Sequence, residues 1–321
     1  MVSSTYDYSQ TLMGMTVTLT LLEQNETVAK LAFATIKLLE DKLTVNRPVS
    51  EVMSINLAAG KHPVEVSLPV FSLIKQAWQL SVNPSSCFNM AIGPVVKLWK
   101  IGFKGDSIPA DHHIKQQLLL TDPFDIELND TTHSVFLKKA GMEIDLGAIA
   151  KGYIADVIKN LLLEHHIHHG IINLGGNVLT LGASPIEKSG CWCIGLRKPF
   201  SLFDELAGII KVKNKSVVTS GIYERYFVQN NRLYHHIFNP LTGYPLDNEI
   251  ESVTVISNTS IEGDIYSTIF YGLGVNASGE YLKKHPDISG IFLLKNKTMT
   301  LINPKNFNFD LIDKHYEINL H

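Results

Sequence analysis

From Met15 to Leu22 apolar and polar residues alternate ("MTVTLTLL"), the two-residue period of a strand with one buried face. The period then lengthens, predicting an amphipathic helix from about Glu26 to Lys42 and a second over Leu68 to Ser81. "SIPADHHIKQQLLL" (residues 107–120) reads as a proline-introduced turn and a short helix, and "HSVFLKKAGMEIDL" (133–146) as a hairpin. Ile149, Tyr153, Val157 and Leu161 recur every four residues, with Ile158 and Leu162 widening the stripe, so a helix is expected to run from there to about Gly170. Strands then dominate: "GIINLGG", "CWCIGLR", "LAGIIKVKN", "SVVTSG" and "ERYFVQNNRLYHHIF" carry β-branched or aromatic runs separated by Gly, Asn and Pro, as antiparallel strands with turns would. A helix near residues 260–273 precedes closing segments around "GIFLLKNKTMTLI". The pattern is α+β, mixed, without repeats or a low-complexity linker.

Composition narrows the classes. A chain of 321 residues suits one large domain or two smaller ones. With 45% hydrophobic and 18% charged residues and a net charge of −3, neither disorder nor a broad nucleic-acid surface is indicated, so an anionic ligand must be held locally. The N-terminal stretch lacks a basic region followed by a continuous apolar run, and no apolar segment is long enough to span a bilayer; the expectation is a soluble cytoplasmic protein with no membrane anchor. Cys87, Cys191 and Cys193 are odd in number and lack C-x-x-C spacing, which argues against a disulfide framework or a zinc site. Cys191 and Cys193 flank Trp192 and are expected to share one buried face.

Three stretches carry candidate chemistry. In "DLGAIAKGYIAD" (145–156) the unpaired N–H groups and positive dipole of a helix start place Gly147, Ala148 and Lys151 where an anion such as a phosphate could sit. Asp145 complicates this, because a carboxylate beside a phosphate repels it unless a cation lies between them or it accepts a hydrogen bond from another part of the ligand. An ordinary capped helix is the alternative. In "NTSIEGDIYSTIFYGLG" (258–274) Thr259 and Glu262 make a capping box, Ile261, Ile265 and Ile269 a stripe, and the oxygens of Asp264, Ser267 and Thr268 converge on one face. Hard oxygens so arranged suit Mg²⁺; a solvated Asp and a back-bonded Thr are the alternative. In "HHIFNPLTGYP" (235–245) Asn239-Pro240 and Thr242-Gly243 mark a structured turn, with His236 where a strand enters it. Gly175 and Gly176 permit either close approach of a ligand or a plain tight turn. The histidines of "LEHHIHHG" (163–170) suit a solvated helix end better than a metal cluster.

Taken together with "VTSGIYERYF" (218–227), these stretches resemble, in order and spacing, the FAD:protein FMN transferase family, the ApbE-like proteins. "LMGMTVTL" looks like that family's Met-Gly-Thr strand, "SEVMSIN" like its Ser-Glu-x-x-x-x-Asn element, and "SCFNMAIGPVVKLWKIG" like its Gly-Ala-Phe-Asp…Gly-Pro-Leu-Val…Leu-Trp-Gly run. The resemblance spans nearly the whole chain and implies an ApbE-like, T-fold-related architecture with a largely antiparallel sheet. It further implies a single domain over 1–321, with 303–321 a candidate C-terminal extension. Members cleave FAD across its pyrophosphate and pass FMN through a phosphoester to a Thr or Ser hydroxyl of a target flavoprotein, releasing AMP and using Mg²⁺. By resemblance Ala148 (through its carbonyl), Asp264, Ser267 and Thr268 hold the metal. Met13, Asn46, Cys87, Phe88, Asn89, Asp145, Lys151 and Phe238 contact FAD. His236, chosen over His235 by its spacing from Pro240, acts on the incoming hydroxyl. The acceptor is another polypeptide with a short Thr/Ser motif, by analogy a fumarate-reductase-like flavoprotein.

Two departures stand out. Asn89 and Asn239 replace the family's usual Asp, keeping an acceptor oxygen but losing the charge, and Cys87 replaces a small residue and is expected to narrow the flavin pocket. No oxygen of the metal face is missing, so an active enzyme is expected. FAD pyrophosphatase activity and a non-catalytic FAD-binding module are the alternatives.

Overall fold

The computed structural model describes residues 5–84, 86–103, 105–203 and 205–321. In chain order the first elements are β1 (Tyr6–Leu12), β2 (Met15–Leu21), α1 (Glu26–Leu43), α2 (Glu51–Leu57), β3 (Val64–Glu65), α3 (Leu68–Ser81), α4 (Gly93–Trp99), α5 (Asp111–Leu118), β4 (Ile126–Asn129) and β5 (Ser134–Leu137). After them come α6 (Ala150–Glu164), β6 (Gly170–Leu174), β7 (Asn177–Leu181), β8 (Trp192–Arg197), β9 (Leu206–Val212), β10 (Ser216–Gly221), β11 (Tyr226–Gln229) and β12 (Arg232–His235). The chain closes with β13 (Ile250–Ser257), α7 (Ser260–Lys284), β14 (Ser289–Leu294), β15 (Thr298–Ile302), β16 (Asn308–Leu311) and β17 (Glu317–Leu320). This is the α+β class expected. The elements fall into two compact units.

The first unit comprises residues 1–40, 149–221 and 249–321. Its nine strands run in the order β1-β2-β6-β7-β10-β13-β14-β15-β17. Every pairing is antiparallel except β15 with β17. Strand period decides what covers each face: Val217 joins the core under a three-stranded sheet (β16-β9-β8), while the next residue, Val218, meets Gly263 of α7 on the other side. β13, buried at all eight positions, is accordingly covered on both faces. Gly175 and Gly176 form the two-residue turn between β6 and β7, both with positive φ (58° and 93°), as a tight hairpin turn demands. Residues 308–311 and 317–320 are strands of this unit, β16 pairing with β9 and β17 with β15.

Three local expectations are corrected. α6 ends at Glu164, not near Gly170: His166 takes a left-handed φ of 61° and the Ile167 N–H returns to the Leu162 carbonyl, closing the helix as a Schellman-type end. The segment 133–146 is not a hairpin; its first part, β5, pairs instead with the preceding β4 and with β3, and no strand follows before Asp145. Cys191 and Cys193 do share a face of the β8 edge, but the outer one: Trp192 is buried, while Cys193 is exposed and Cys191 half-buried. The helix expected near 260–273 is present, and beyond a break at Gly274 (φ 80°) the chain resumes helix to Lys284. The four histidines after Glu164 are exposed, as expected of a solvated helix end.

The second unit comprises residues 41–148 and 222–248. It carries α2 to α5, the small sheet β3-β5-β4 and the hairpin β11-β12. α3 begins at Leu68 because Pro69, with no N–H to leave unpaired, sits in its first turn. Trp99, at the end of α4 and 1% exposed, is the hub of this unit's core. Its ring stacks on Tyr234 at 5.8 Å, meets Phe238 and Tyr244 at 6.0 and 5.6 Å, and donates its indole N–H to the Gly243 carbonyl at 2.9 Å. Gly243 (φ 70°) is required there, since a Cβ would stand 2.7 Å from an Ile114 methyl. Trp99→Ala should therefore lower the urea unfolding free energy by about 3–5 kcal/mol. Trp99→Phe, which keeps most of the volume, should cost markedly less, and equal losses would mean that the indole hydrogen bond rather than packing dominates.

Candidate active site

In the first unit three of the predicted residues, Asp264, Ser267 and Thr268, lie along α7. Asp264 stands in the second turn of α7, 4% exposed. Its Oδ2 accepts the backbone N–H of Gly152 at 2.5 Å and its Oδ1 the side-chain amide of Asn177 at 3.0 Å. Asn177 in turn accepts the Ser260 hydroxyl at 2.6 Å. Asp156, one turn along α6, accepts the N–H groups of Ser260 (2.8 Å) and Ile261 (2.9 Å), capping α7 from outside. Glu262 supplies its half of the expected capping box by accepting the Thr259 N–H at 3.3 Å. The anion at the start of α6 is thus the protein's own Asp264, which takes the Gly152 N–H. Burial pushes the Asp264 carboxyl above the ordinary carboxylate range, against the opposing pull of the Lys151 charge and of its two hydrogen-bond donors.

Ser267, fully buried one turn further, donates its hydroxyl to the Asp264 carbonyl at 3.1 Å and shares a 2.8 Å hydrogen bond with Ser220 of β10. Thr268 is half-buried beside it. No group of three or more His, Cys, Asp or Glu able to hold a metal occurs among the described residues. What the α7 face does offer is one carboxyl group and two hydroxyls, all oxygen, which suits the preference of Mg²⁺ for few protein oxygens completed by water and phosphate. Met13 occupies the tight turn between β1 and β2 with φ 53°.

In the second unit Asp145 is held by its neighbours: its N–H donates to the Met90 carbonyl at 2.8 Å and its Oδ1 accepts the Gly147 N–H at 2.7 Å. Burial pushes its carboxyl up, partly offset by that hydrogen bond and by the charges of Arg225 and Lys97. Phe88 is buried next to half-buried Cys87, whose thiol burial pushes up as well. Asn89 accepts the Ala91 N–H at 2.8 Å and donates its amide to the Thr121 carbonyl at 2.8 Å. Phe238, 9% exposed, belongs to the Trp99 cluster.

The two histidines differ sharply. His235, 3% exposed, bonds the Leu246 carbonyl through Nε2 (2.8 Å) and accepts the Ile237 N–H at Nδ1 (3.2 Å). His236 is half-buried, and its Nδ1 donates to the Arg225 carbonyl at 3.2 Å, so in the neutral ring the basic lone pair lies on Nε2.

Sequence reasoning missed several of these partners. Asn46 is exposed and uses its N–H on Thr44, whereas Asn56, the asparagine that ends "SEVMSIN", is buried and pairs with Ile144 in both directions, at 3.0 and 2.8 Å. Position in the quoted motif is the signal that would have found it. Asn177, Asp156 and Ser260 had a weaker signal, polar residues in otherwise apolar runs.

Asp145 gives a pH test on the ligand-free protein. A folded-state pKa raised above 3.8 favours the protonated form, so its contribution to stability is full below that value and is lost as pH rises through the raised one. Asp145→Asn keeps the acceptor for Gly147 and never ionises. The variant should therefore gain urea stability relative to wild type as pH rises above about 4; a relative loss would show that Arg225 and Lys97 outweigh burial.

Residues 13–292 match the model of the ApbE family. The chain is 49% identical over 313 residues to the FAD:protein FMN transferase of Klebsiella pneumoniae (strain 342), covering 98% of this chain and 96% of that one. It is 34% identical to the FAD:protein FMN transferase of Treponema pallidum (strain Nichols), covering 83% and 76%. The crystal structure of the ApbE protein of Thermotoga maritima superposes with a TM-score of 0.83 at 28% identity, covering 93% of this chain and 97% of that one. The apo flavinyl transferase ApbE of Pseudomonas stutzeri shares the fold, with a TM-score of 0.81 at 22% identity and coverage of 95% and 97%. A family model that spans most of the chain, and a relative that matches it nearly end to end, leave one conclusion: the chain belongs to the ApbE family.

Proposed function

We propose that this protein is an Mg²⁺-dependent FAD:protein FMN transferase that attaches FMN by a phosphoester bond to a Thr or Ser hydroxyl of an acceptor flavoprotein and releases AMP. The observation that carries this reading is the near end-to-end likeness to FAD:protein FMN transferases. The fixed ring of His236 and the immobilised carboxylate of Asp264 support it.

In this reading the acceptor hydroxyl gives its proton to His236 Nε2 as its oxygen bonds the phosphorus of the FMN half. The pyrophosphate P–O bond then breaks, and its electron pair leaves on AMP. His236 is suited to this because the Arg225 carbonyl keeps the other ring nitrogen protonated. Asp264 and Thr268, with Ser267 and the Ala148 carbonyl, would hold Mg²⁺. Bound there, the ion would neutralise charge on the phosphate oxygens. Met13, Cys87, Phe88, Asn89, Asp145, Lys151 and Phe238 are the proposed flavin-nucleotide contacts, and Asn56 replaces Asn46 as the stronger candidate from that part of the chain because it supports the backbone next to Asp145.

Incubation with FAD, Mg²⁺ and a flavoprotein fragment bearing a candidate acceptor threonine, followed by intact-mass and nucleotide analysis, tests the proposal. An FMN adduct with AMP release, both blocked by EDTA, is the expected outcome. FMN and AMP without an adduct, across several acceptors, would point to a pyrophosphatase, and intact bound FAD to a carrier.

Two substitutions refine the test. Asp264→Ala should abolish Mg²⁺-dependent turnover. His236→Ala should slow transfer about 10²- to 10⁴-fold while leaving FAD affinity nearly unchanged; an unaltered rate would remove the histidine from the reaction.

A further inference from the structure

Asp145 poses an electrostatic problem for any phosphate ligand near it, and the second unit contains a group placed to solve it. The two cationic charges that act on the Asp145 carboxyl are those of Arg225 and Lys97. Lys97 is already committed to Glu143 at 2.5 Å. Arg225 is not committed: among the described residues its guanidinium makes no hydrogen bond or ion pair, whereas Arg47 and Arg232 hold Asp41 and Asp247.

Arg225 is nonetheless held in place. Its stem lies along the bare face of Gly102 (φ 84°), where a Cβ would stand 2.6 Å from the Arg225 Cδ and 2.9 Å from its Cγ. Its guanidinium lies over the Phe103 ring, 5.3 Å from the centroid. Its carbonyl accepts both the backbone N–H and the ring Nδ1 of His236, each at 3.2 Å. A single residue thereby tethers the proposed base and presents a planar fork of five N–H donors, the geometry that matches phosphate oxygens.

We propose that Arg225 is a phosphate-binding residue that grips the pyrophosphate of the dinucleotide beside His236 and screens it from Asp145. The proposal rests on the flavin-transferase reading and adds to it which side chain discriminates FAD from flavins that lack the pyrophosphate.

The test is binding to the metal-free full-length protein in EDTA, followed by flavin fluorescence, with riboflavin and FAD as probes. Wild type should bind FAD more tightly than riboflavin, and more weakly as salt rises. Arg225→Ala should lose FAD affinity about 10- to 100-fold and most of its salt dependence, with riboflavin affinity unchanged. Arg225→Lys should recover part of the loss, as a point charge without the fork. Unchanged FAD affinity in Arg225→Ala, or an equal loss for both flavins, would overturn the assignment, the second outcome marking a role in holding the pocket's shape. Failure of wild type to bind FAD both in EDTA and with Mg²⁺ restored would instead remove the flavin-transferase reading, and this inference with it.

Discussion

A carboxylate buried to 4% exposure must have its oxygens hydrogen-bonded, and in the first unit that requirement fixes how α6, α7 and β7 meet. Asp264 can receive the Gly152 N–H only because residue 152 has no side chain: a Cβ there would lie 2.4 Å from the Ser260 carbonyl and 2.6 Å from the Ile261 Cα. The first turn of α6 therefore lies in backbone contact with the first turn of α7. One turn later Asp156 uses the same proximity to cap the Ser260 and Ile261 N–H groups. Asn177, fully buried in β7, closes the circuit by donating to Asp264 and accepting from Ser260. Each member satisfies another, which is what makes a buried polar network rigid rather than costly.

The second unit reaches a similar end through backbone rather than side-chain acids. Two stretches remote in sequence converge on the segment that ends in Asp145. Asn56 pairs with Ile144, the Met90 carbonyl accepts the Asp145 N–H, and Gly93 packs so closely on Glu143 that a Cβ would stand 2.7 Å from its carbonyl. The motifs "SEVMSIN", "SCFNMAIG" and "DLGAIA" therefore form one construction: each supplies a donor, an acceptor or a gap that another needs.

This also explains what the sequence could and could not convey. Elements with one wet face announced themselves: β2 by its alternation, α1 and α3 by their stripes, with α3 matching its expected ends because Pro69 and the helix period agree. β7 and β13 were not singled out, because strands covered on both faces have no alternation to read. Helical spacing put Asp264, Ser267 and Thr268 on neighbouring positions, but spacing does not say what lies opposite. The structure turns Ser267 toward Ser220 and ties Asp264 to Asn177, contacts formed across 47 and 87 residues of chain. The end of α6 at Glu164 was not legible because a polar run after an apolar stripe looks the same whether it ends a helix or extends it.

The amides at 89 and 239 bear on whether charge was ever their role. Asn239 accepts the Leu241 N–H at 2.9 Å, which an aspartate would do equally well. Asn89 uses its other end too, donating to Thr121, which a carboxylate could not do, so the amide at this position ties two loops together. The same economy separates adjacent histidines. His235 lies at the end of β12 with both nitrogens in hydrogen bonds to the main chain, and the next residue projects the other way. His236 is fixed at Nδ1 by the Arg225 carbonyl, so the two adjacent imidazoles are held by different main-chain groups.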